Sequence, residues 1–275
     1  MTVSFAEYQD TSVVDPLRQG DVLEAADPAA SLWQRHLVVL TADCDLARAK
    51  HHGRVTCVPV LTEHEYLLEM QIPGLRDKAM NKFVDELRKA LPPAAPKITD
   101  ERLRAWPCEE EPNEIVAALG LSGRRADDAK AACESIRLLS RKPETLDDAV
   151  KLLIDSQIGA PNPQKRDKIV DGIVNKFRNA YSNPPGDALF LSSIAPRNSL
   201  GYFAYLRHLE QVPEAEIALG PDRSASRYRR ISRLQDRYTH ALVERFAHVF
   251  MSIGLPSAYE DVRDLHSEYL GATYK

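Results

Sequence analysis

The chain has 275 residues, 44% of them hydrophobic, which is enough apolar material for one large domain or two ordinary ones with buried cores. Its 36 basic and 40 acidic side chains leave a formal net charge of −4, which excludes binding to nucleic acid through bulk charge and requires any such binding to come from a local patch. No apolar run approaches the ~20 residues of a membrane span, residues 1–10 lack a basic stretch followed by an apolar one, and Cys44, Cys57, Cys108 and Cys133 form no Cys-x-x-Cys pair. The expectation is a protein of the cytoplasm without a disulfide framework, structural zinc, metal or other cofactor.

Three short strands are predicted between Arg18 and Thr62. Gly20-Asp21-Val22 opens the first, Arg35 to Thr41 carries the second, and Val58 to Thr62 closes the third. The runs are short, rich in Val and Leu, and bounded by Gly, Asp or charged residues, which favours buried strands over a helix. From about Leu67 to Tyr181 the apolar spacing turns helical, with Ala79, Phe83, Leu87 and Leu91 four residues apart. Pro92-Pro93-Ala94-Ala95-Pro96 stops that helix and starts a linker, because proline lacks a backbone donor and clashes with the preceding turn. Further helices are expected at Glu114 to Leu119, Asp127 to Leu139, Leu146 to Ile154 and Lys165 to Tyr181. Thr145 followed by Asp148 has the form of a helix start, where a hydroxyl accepts from an orphan N–H.

Asn183-Pro184-Pro185-Gly186 breaks the helical region, and strands resume at Ala188 to Ile194 and Tyr202 to Leu209. After Leu234 the residues Tyr238, Leu242, Phe246, Val249, Phe250 and Ile253 recur at spacings of three and four, which lays one apolar stripe along a packed helix. Gly254-Leu255-Pro256 forms its stop signal.

Gly-Asp-hydrophobic at residues 20–22, then Arg35 ahead of Val38-Val39, then Pro59-Val60-Leu61-Thr62, resembles the opening of the PemK/MazF-like toxins. Arg230-Ile231-Ser232-Arg233-Leu234 leading into the last helix is similar to that family's closing segment. The resemblance implies an α+β fold, a small SH3-like β-barrel with a large helical insertion and a C-terminal helix. Residues 1–66 would supply the first barrel strands, 67–183 the insertion, and 184–275 the returning strands and packing helix. It also implies a metal-independent endoribonuclease, pairing as a homodimer, in which Arg35 and Thr62 are catalytic. Both suit RNA cleavage: a guanidinium neutralises charge building on the phosphoryl oxygens, and a hydroxyl donates to the same group. Where the family has proline after the arginine, this chain has His36, a residue able to move protons near neutral pH. An arginine at a strand start also serves as a solvated edge charge, and a threonine at a strand end as a turn residue.

Two further candidate sites stand apart from that pair. Asp43-Cys44-Asp45 follows the Val-Val strand; extended, it would place Asp43 and Asp45 on one face and Cys44 on the other. The carboxylates could meet a hard cation if a third ligand joined them, Cys44 could act as a nucleophile with His51, His52 or His64 as base, or the aspartates could cap a turn. Arg223, Arg227, Arg229, Arg230, Arg233 and Arg237, interleaved with Tyr228 and Tyr238, form a basic patch with the chemistry of single-stranded RNA binding. Asp222, Asp236 and Glu244 lie close enough in sequence to pair with some of them.

Two functions follow as expectations. One is cleavage of single-stranded RNA through Arg35 and Thr62, with Arg227, Tyr228, Arg229, Arg230 and Arg233 holding the strand. The other is a non-catalytic module of a bacterial stress or phage-defence system, docking a protein partner through residues 67–183.

Overall fold

A computed structural model describes residues 6–92, 98–182, 186–198, 200–220, 226–251 and 257–273. The chain is mixed α/β, and its strands form one curled, largely antiparallel sheet shaped as a half-barrel. In chain order the strands are β1 (Tyr8–Gln9), β2 (Asp21–Ala25), β3 (His36–Val39), β4 (Arg54–Thr62), β5 (Ala188–Leu191), β6 (Tyr202–Tyr205), β7 (Glu210–Pro213), β8 (Ile217–Ala218) and β9 (Tyr228–Leu234). They lie in the order β1-β9-β2-β3-β4-β6-β5, with β7 continuing along β4 and β8 running parallel to β9. The first and last parts of the chain therefore meet inside the sheet, where β9 pairs with β2.

The three strands expected between Arg18 and Thr62 are present as β2, β3 and β4. Arg35 does not start a strand: it ends a single helical turn, α1 (Leu32–Arg35), and β3 begins at His36. The strand expected from Tyr202 to Leu209 is interrupted after Tyr205, and the chain re-enters the sheet as β7 against the first half of β4. Alternation along the strands gives two buried faces. Val22, Val38, Val58, Val60 and Ala204 face one core with Leu242, and Leu23, Leu37, Val39, Val55 and Tyr228 face the other. Each Val or Leu among them contributes about 1.5–3 kcal/mol relative to exposure.

Residues 63–182 are helical throughout their longer elements: α3 (Glu63–Tyr66), α4 (Ile72–Ala90), α5 (Asp100–Glu109), α6 (Pro112–Ala118), α7 (Arg124–Ser140), α8 (Leu146–Ile158) and α9 (Arg166–Ser182). A π-helical turn at Leu67–Gln71 joins α3 to α4, with the Ile72 N–H bonded to the Leu67 carbonyl. Pro73 follows at once; it has no N–H to continue an α-helical ladder there, which accounts for the wider turn. Phe83, Leu87, Leu103, Ile115, Ile136 and Leu153 are fully or nearly fully buried in a core belonging to these helices alone. Thr145 caps α8 as expected, accepting from the Asp148 N–H at 3.1 Å. Helix α5 was not expected; its only buried positions are Leu103 and Pro107, too few to write a stripe. Of the proline-rich stop expected at residues 92–96, only Pro92 is among the described residues; the rest of it lies outside them.

A smaller aromatic cluster seats the helices on the sheet. Tyr66 stacks on Phe203 with centroids 4.0 Å apart and planes 13° from parallel, and Tyr181 donates to Glu63 Oε2 at 2.8 Å. Burial pushes the Tyr66 phenol up to about 12, so it stays neutral and apolar in character at pH 7. The C-terminal stripe is present as far as Val249: α10 (Asp236–Phe250) buries Leu242 and lays Tyr238, Val243, Phe246 and Val249 against the sheet, Phe250 is exposed, and Ile253 lies outside the described residues. Its expected stop, Gly254-Leu255-Pro256, lies outside the described residues, and a further helix, α11 (Ser257–Thr273), follows. Among the described residues no helix is long and apolar enough to cross a membrane.

Candidate functional site

Thr62 is the last residue of β4 and the N-cap of α3. A Thr-x-x-Glu spacing at that junction forms a capping box: the Glu65 N–H donates to Thr62 Oγ1 at 3.3 Å, and Glu65 Oε2 accepts the Thr62 N–H at 2.9 Å. The Thr62 hydroxyl also donates to Glu65 Oε2 at 2.9 Å. The other carboxylate oxygen, Oε1, accepts from Arg35 Nη1. Two residues chosen from sequence, Arg35 and Thr62, are thus joined through a third, Glu65, that sequence reasoning missed. The Thr62-x-x-Glu65 spacing was its legible signal. Arg35 retains 43% exposure of its side chain, so a guanidinium with five donors has most of them open to solvent.

The strand register extends this cluster across the sheet. Arg229 lies opposite Glu24, Glu24 opposite His36, and Thr62 opposite Tyr202. Directly opposed residues share a face, so the sheet carries a polar row at the rim of the core around Val22, Val38 and Val60. Arg229 Nη2 donates to Glu24 Oε2 at 2.6 Å, and His36 Nε2 stands 3.6 Å from Glu24 Oε1 and 3.5 Å from Asn198 Nδ2. The His36 ring meets Tyr202 edge-on at 5.9 Å. His36 is only 7% exposed, and its Nδ1 has no hydrogen-bond partner among the described residues. Burial lowers its pKa, with Arg35 acting in the same direction and Glu24 opposing, so the ring is neutral at pH 7. Tyr202 is pushed the other way, first by burial and then by the negative charges of Glu65 and Glu24.

The arginine-rich strand divides between the two faces because of a bulge. The register between β2 and β9 shifts between Val22 and Leu23, so Ile231 is an extra residue. Without it Arg230 and Arg233, three apart, would point to opposite faces; with it both turn to Asp21. Arg233 Nε donates to Asp21 Oδ1 at 2.6 Å and Arg230 Nη1 to Oδ2 at 3.2 Å. Arg230 further donates to the carbonyls of Ser12, Asp15 and Pro16. Both arginines, expected on an RNA-binding surface, are buried structural ties instead, with Arg230 and Asp21 side chains at 0% exposure. Tyr228, also expected there, is 1% exposed in the second core and has no face free for a base. Arg227 remains at the surface, over the Tyr228 ring and 3.9 Å from Glu216, and Arg229 remains exposed beside Glu24. Arg223 and Asp222 lie outside the described residues.

Asp43-Cys44-Asp45 is not extended. It begins the short helix α2 (Asp43–Ala47), so the alternate-face arrangement does not arise. Asp43 Oδ2 accepts from Arg18 Nε and Nη2 at 2.9 and 2.6 Å, and Oδ1 accepts the Gln19 N–H at 2.7 Å. Burial alone would raise the Asp43 pKa, but Arg18 and the Gln19 N–H outweigh it and hold the carboxyl below its usual value. Asp43 does not cap its own turn; it ties β2's approach loop to α2. Cys44 is exposed with its Sγ 3.7 Å from Asp45 Oδ1. His51 is engaged elsewhere, with Nε2 2.7 Å from Glu214 and Nδ1 3.2 Å from the Asp45 carbonyl. No group of three or more His, Cys, Asp or Glu side chains able to hold a metal ion occurs among the described residues.

No family model, curated protein or solved structure matches this chain.

Proposed function

We propose that the protein is a PemK/MazF-like endoribonuclease that cleaves single-stranded RNA without a metal ion, with Arg35, Glu65 and Thr62 at the reacting phosphate. The observation that carries the reading is the hydrogen-bonded unit Arg35–Glu65–Thr62, assembled from α1, α3 and the end of β4. It sets a cation, a carboxylate and a hydroxyl within one side chain's reach of each other. In this reading Glu65 accepts the proton of the ribose 2′-hydroxyl, and the 2′-oxygen attacks the adjacent phosphorus. The bond to the 5′-oxygen breaks, leaving a 2′,3′-cyclic phosphate, and the departing 5′-oxygen takes its proton from water. Arg35 and the Thr62 hydroxyl donate to the phosphoryl oxygens as negative charge develops. Glu65 must release Arg35 in part as the phosphate arrives, and the phosphate replaces the carboxylate as the guanidinium's anion.

His36 shapes the row rather than acting as an acid, because burial keeps its ring neutral and the N–H of a neutral imidazole is too weakly acidic to protonate a leaving oxygen. In the same reading Arg227 and Arg229, the two exposed members of the expected patch, would meet backbone phosphates in exchange for Glu216 and Glu24. The SH3-like identity of the barrel and the status of the helices as an insertion belong to this same proposal; β4 ends at Thr62 and β5 begins at Ala188, with helices between.

The test is incubation of purified protein with an unstructured RNA in EDTA, beside Arg35→Ala. Cleavage that leaves a cyclic phosphate and is lost in the variant supports the reading. Absence of cleavage, or cleavage undiminished in Arg35→Ala, contradicts it.

A further inference from the structure

A cavity of about 360 Å³ opens beside the polar row, lined by Glu24, Pro196, Arg197, Asn198, Arg229 and Ile231. This volume lies at the small end of the ~300–1,000 Å³ range of ligand pockets, room for a single nucleotide rather than a helix or a folded partner. One wall is the loop after β5, and it is held closed on itself. Asn198 N–H donates to the Ala195 carbonyl at 2.9 Å, Ile194 N–H to the Asn198 carbonyl at 3.2 Å, and Ser193 Oγ to the Asn198 carbonyl at 2.8 Å. Ser232 Oγ donates to the Ile194 carbonyl and fastens the loop to β9. The pocket is therefore formed before any ligand enters.

Its polar groups are unevenly satisfied. Glu24 Oε2 is engaged by Arg229, but among the described residues Oε1 meets only His36 Nε2, at 3.6 Å, longer than a normal hydrogen bond. Arg197 has no hydrogen bond or ion pair among the described residues and is exposed at the pocket mouth. The site thus offers an anionic acceptor with a spare oxygen, an amide, and two guanidinium groups. A carboxylate with a spare oxygen selects a ligand edge carrying donors; guanidinium groups select an edge carrying paired acceptors. Among the four RNA bases, guanine alone presents both: two donors, N1–H and N2–H, on its Watson–Crick edge, and the acceptors O6 and N7 together on its Hoogsteen edge. Adenine lacks the donor pair, cytosine presents one donor, and uracil one.

We infer that this cavity is a base-recognition pocket that takes guanine, with Glu24 reading its Watson–Crick donors and Arg197 or Arg229 its O6 and N7. The inference deepens the ribonuclease reading: placed along the row from Arg35 and Thr62, the pocket would hold a guanine flanking the cleaved phosphate and set the sequence preference. The Asn198 amide, which can donate and accept, completes the base edge.

The experiment measures binding before cleavage. Guanosine, adenosine, cytidine and uridine 5′-monophosphates, and inorganic phosphate, are titrated into the full chain by isothermal calorimetry or ligand-observed NMR, with Glu24→Gln and Arg197→Ala alongside. The expected result is guanosine monophosphate binding at least about tenfold tighter than the other three. Glu24→Gln should collapse that preference, and Arg197→Ala should weaken guanosine monophosphate most. Asn198→Ala serves as a second pocket variant if Glu24→Gln melts early. Equal affinity for the four nucleotides, affinity no greater than that of inorganic phosphate, or no binding would overturn the inference. The two readings separate cleanly. Cleavage with no guanine beside the cut overturns the pocket and leaves the ribonuclease; selective guanosine binding, retained in Arg35→Ala, by a protein that cuts nothing overturns the ribonuclease and leaves the pocket.

Discussion

Glu65 holds Thr62 with a single oxygen, Oε2 accepting both the Thr62 backbone N–H and its hydroxyl at 2.9 Å. One residue pair therefore ends a strand, starts a helix and orients a hydroxyl beside an arginine. Helix capping and candidate chemistry use the same atoms, which permits substitutions that separate them.

Glu65→Gln keeps a side chain that can close a capping box but removes the carboxylate that takes a proton and binds Arg35. RNA cleavage should fall by about 10²–10⁴-fold, the usual contribution of a positioned general base, while the melting temperature stays close to that of the wild type. Thr62→Ala removes hydroxyl and cap together and should also cost about 0.5–2 kcal/mol of stability, read from urea unfolding. Equal activity in Glu65→Gln and wild type would remove Glu65 from the chemistry.

The buried Arg230–Asp21–Arg233 group gives the opposite signature. Asp21→Asn leaves two guanidinium groups facing each other without an anion at positions almost closed to solvent. A loss of about 3–5 kcal/mol is expected from denaturant unfolding. A change below about 1 kcal/mol would show that the backbone carbonyls around Arg230 suffice to hold the charges.

Stability should also depend on pH through two histidines with opposite signs. His36 has a folded-state pKa below its ordinary 6.5, so its contribution is complete above that value and is lost as pH falls through the lowered one. His51 is raised, chiefly by its hydrogen bond to Glu214, so its contribution is present below 6.5 and is lost as pH rises through the raised value. Thermal melts between pH 5 and pH 8, run on His36→Gln and His51→Gln, should show the acid-side decline flattened in the first and the alkaline-side decline flattened in the second. Parallel profiles in all three proteins would contradict both assignments.

Asp43 should be dispensable for cleavage. Its oxygens are occupied by Arg18 and the Gln19 N–H, and the Arg18 pair is half exposed, where such pairs contribute about 0–1 kcal/mol. Asp43→Ala should leave RNA cleavage within about twofold of wild type and lower stability slightly, by an amount on the order of one hydrogen bond. A large loss of cleavage would return this turn to the candidate site.

The elements that sequence made legible are those whose burial is written as a period. The Val and Leu runs of β3 and β4, the Phe83–Leu87 face of α4 and the Leu242–Phe246 stripe of α10 all carry it. Elements fixed by tertiary pairing were not legible. β7 has only Val212 buried and exists because β4 offers an open edge, and α5 buries Leu103 and Pro107 alone. At the site, Arg35 and Thr62 were found through resemblance, Glu65 was signalled only by the Thr62-x-x-Glu65 spacing, and no local pattern marks Glu24, whose partners His36 and Arg229 come from other strands. The arginine patch misled for a specific reason: a one-residue bulge at Ile231 decides which arginines face solvent, and no local composition encodes it.

The most direct measurement uses a DNA oligonucleotide carrying one ribonucleotide, an all-deoxy control, and EDTA throughout. The expected result is a single cut 3′ to the ribonucleotide, a 2′,3′-cyclic phosphate on the upstream fragment, and loss of that cut in Arg35→Ala with the fold intact. Cutting of the all-deoxy strand, a product without the cyclic phosphate, or no cut in any strand including an all-ribose one would contradict it.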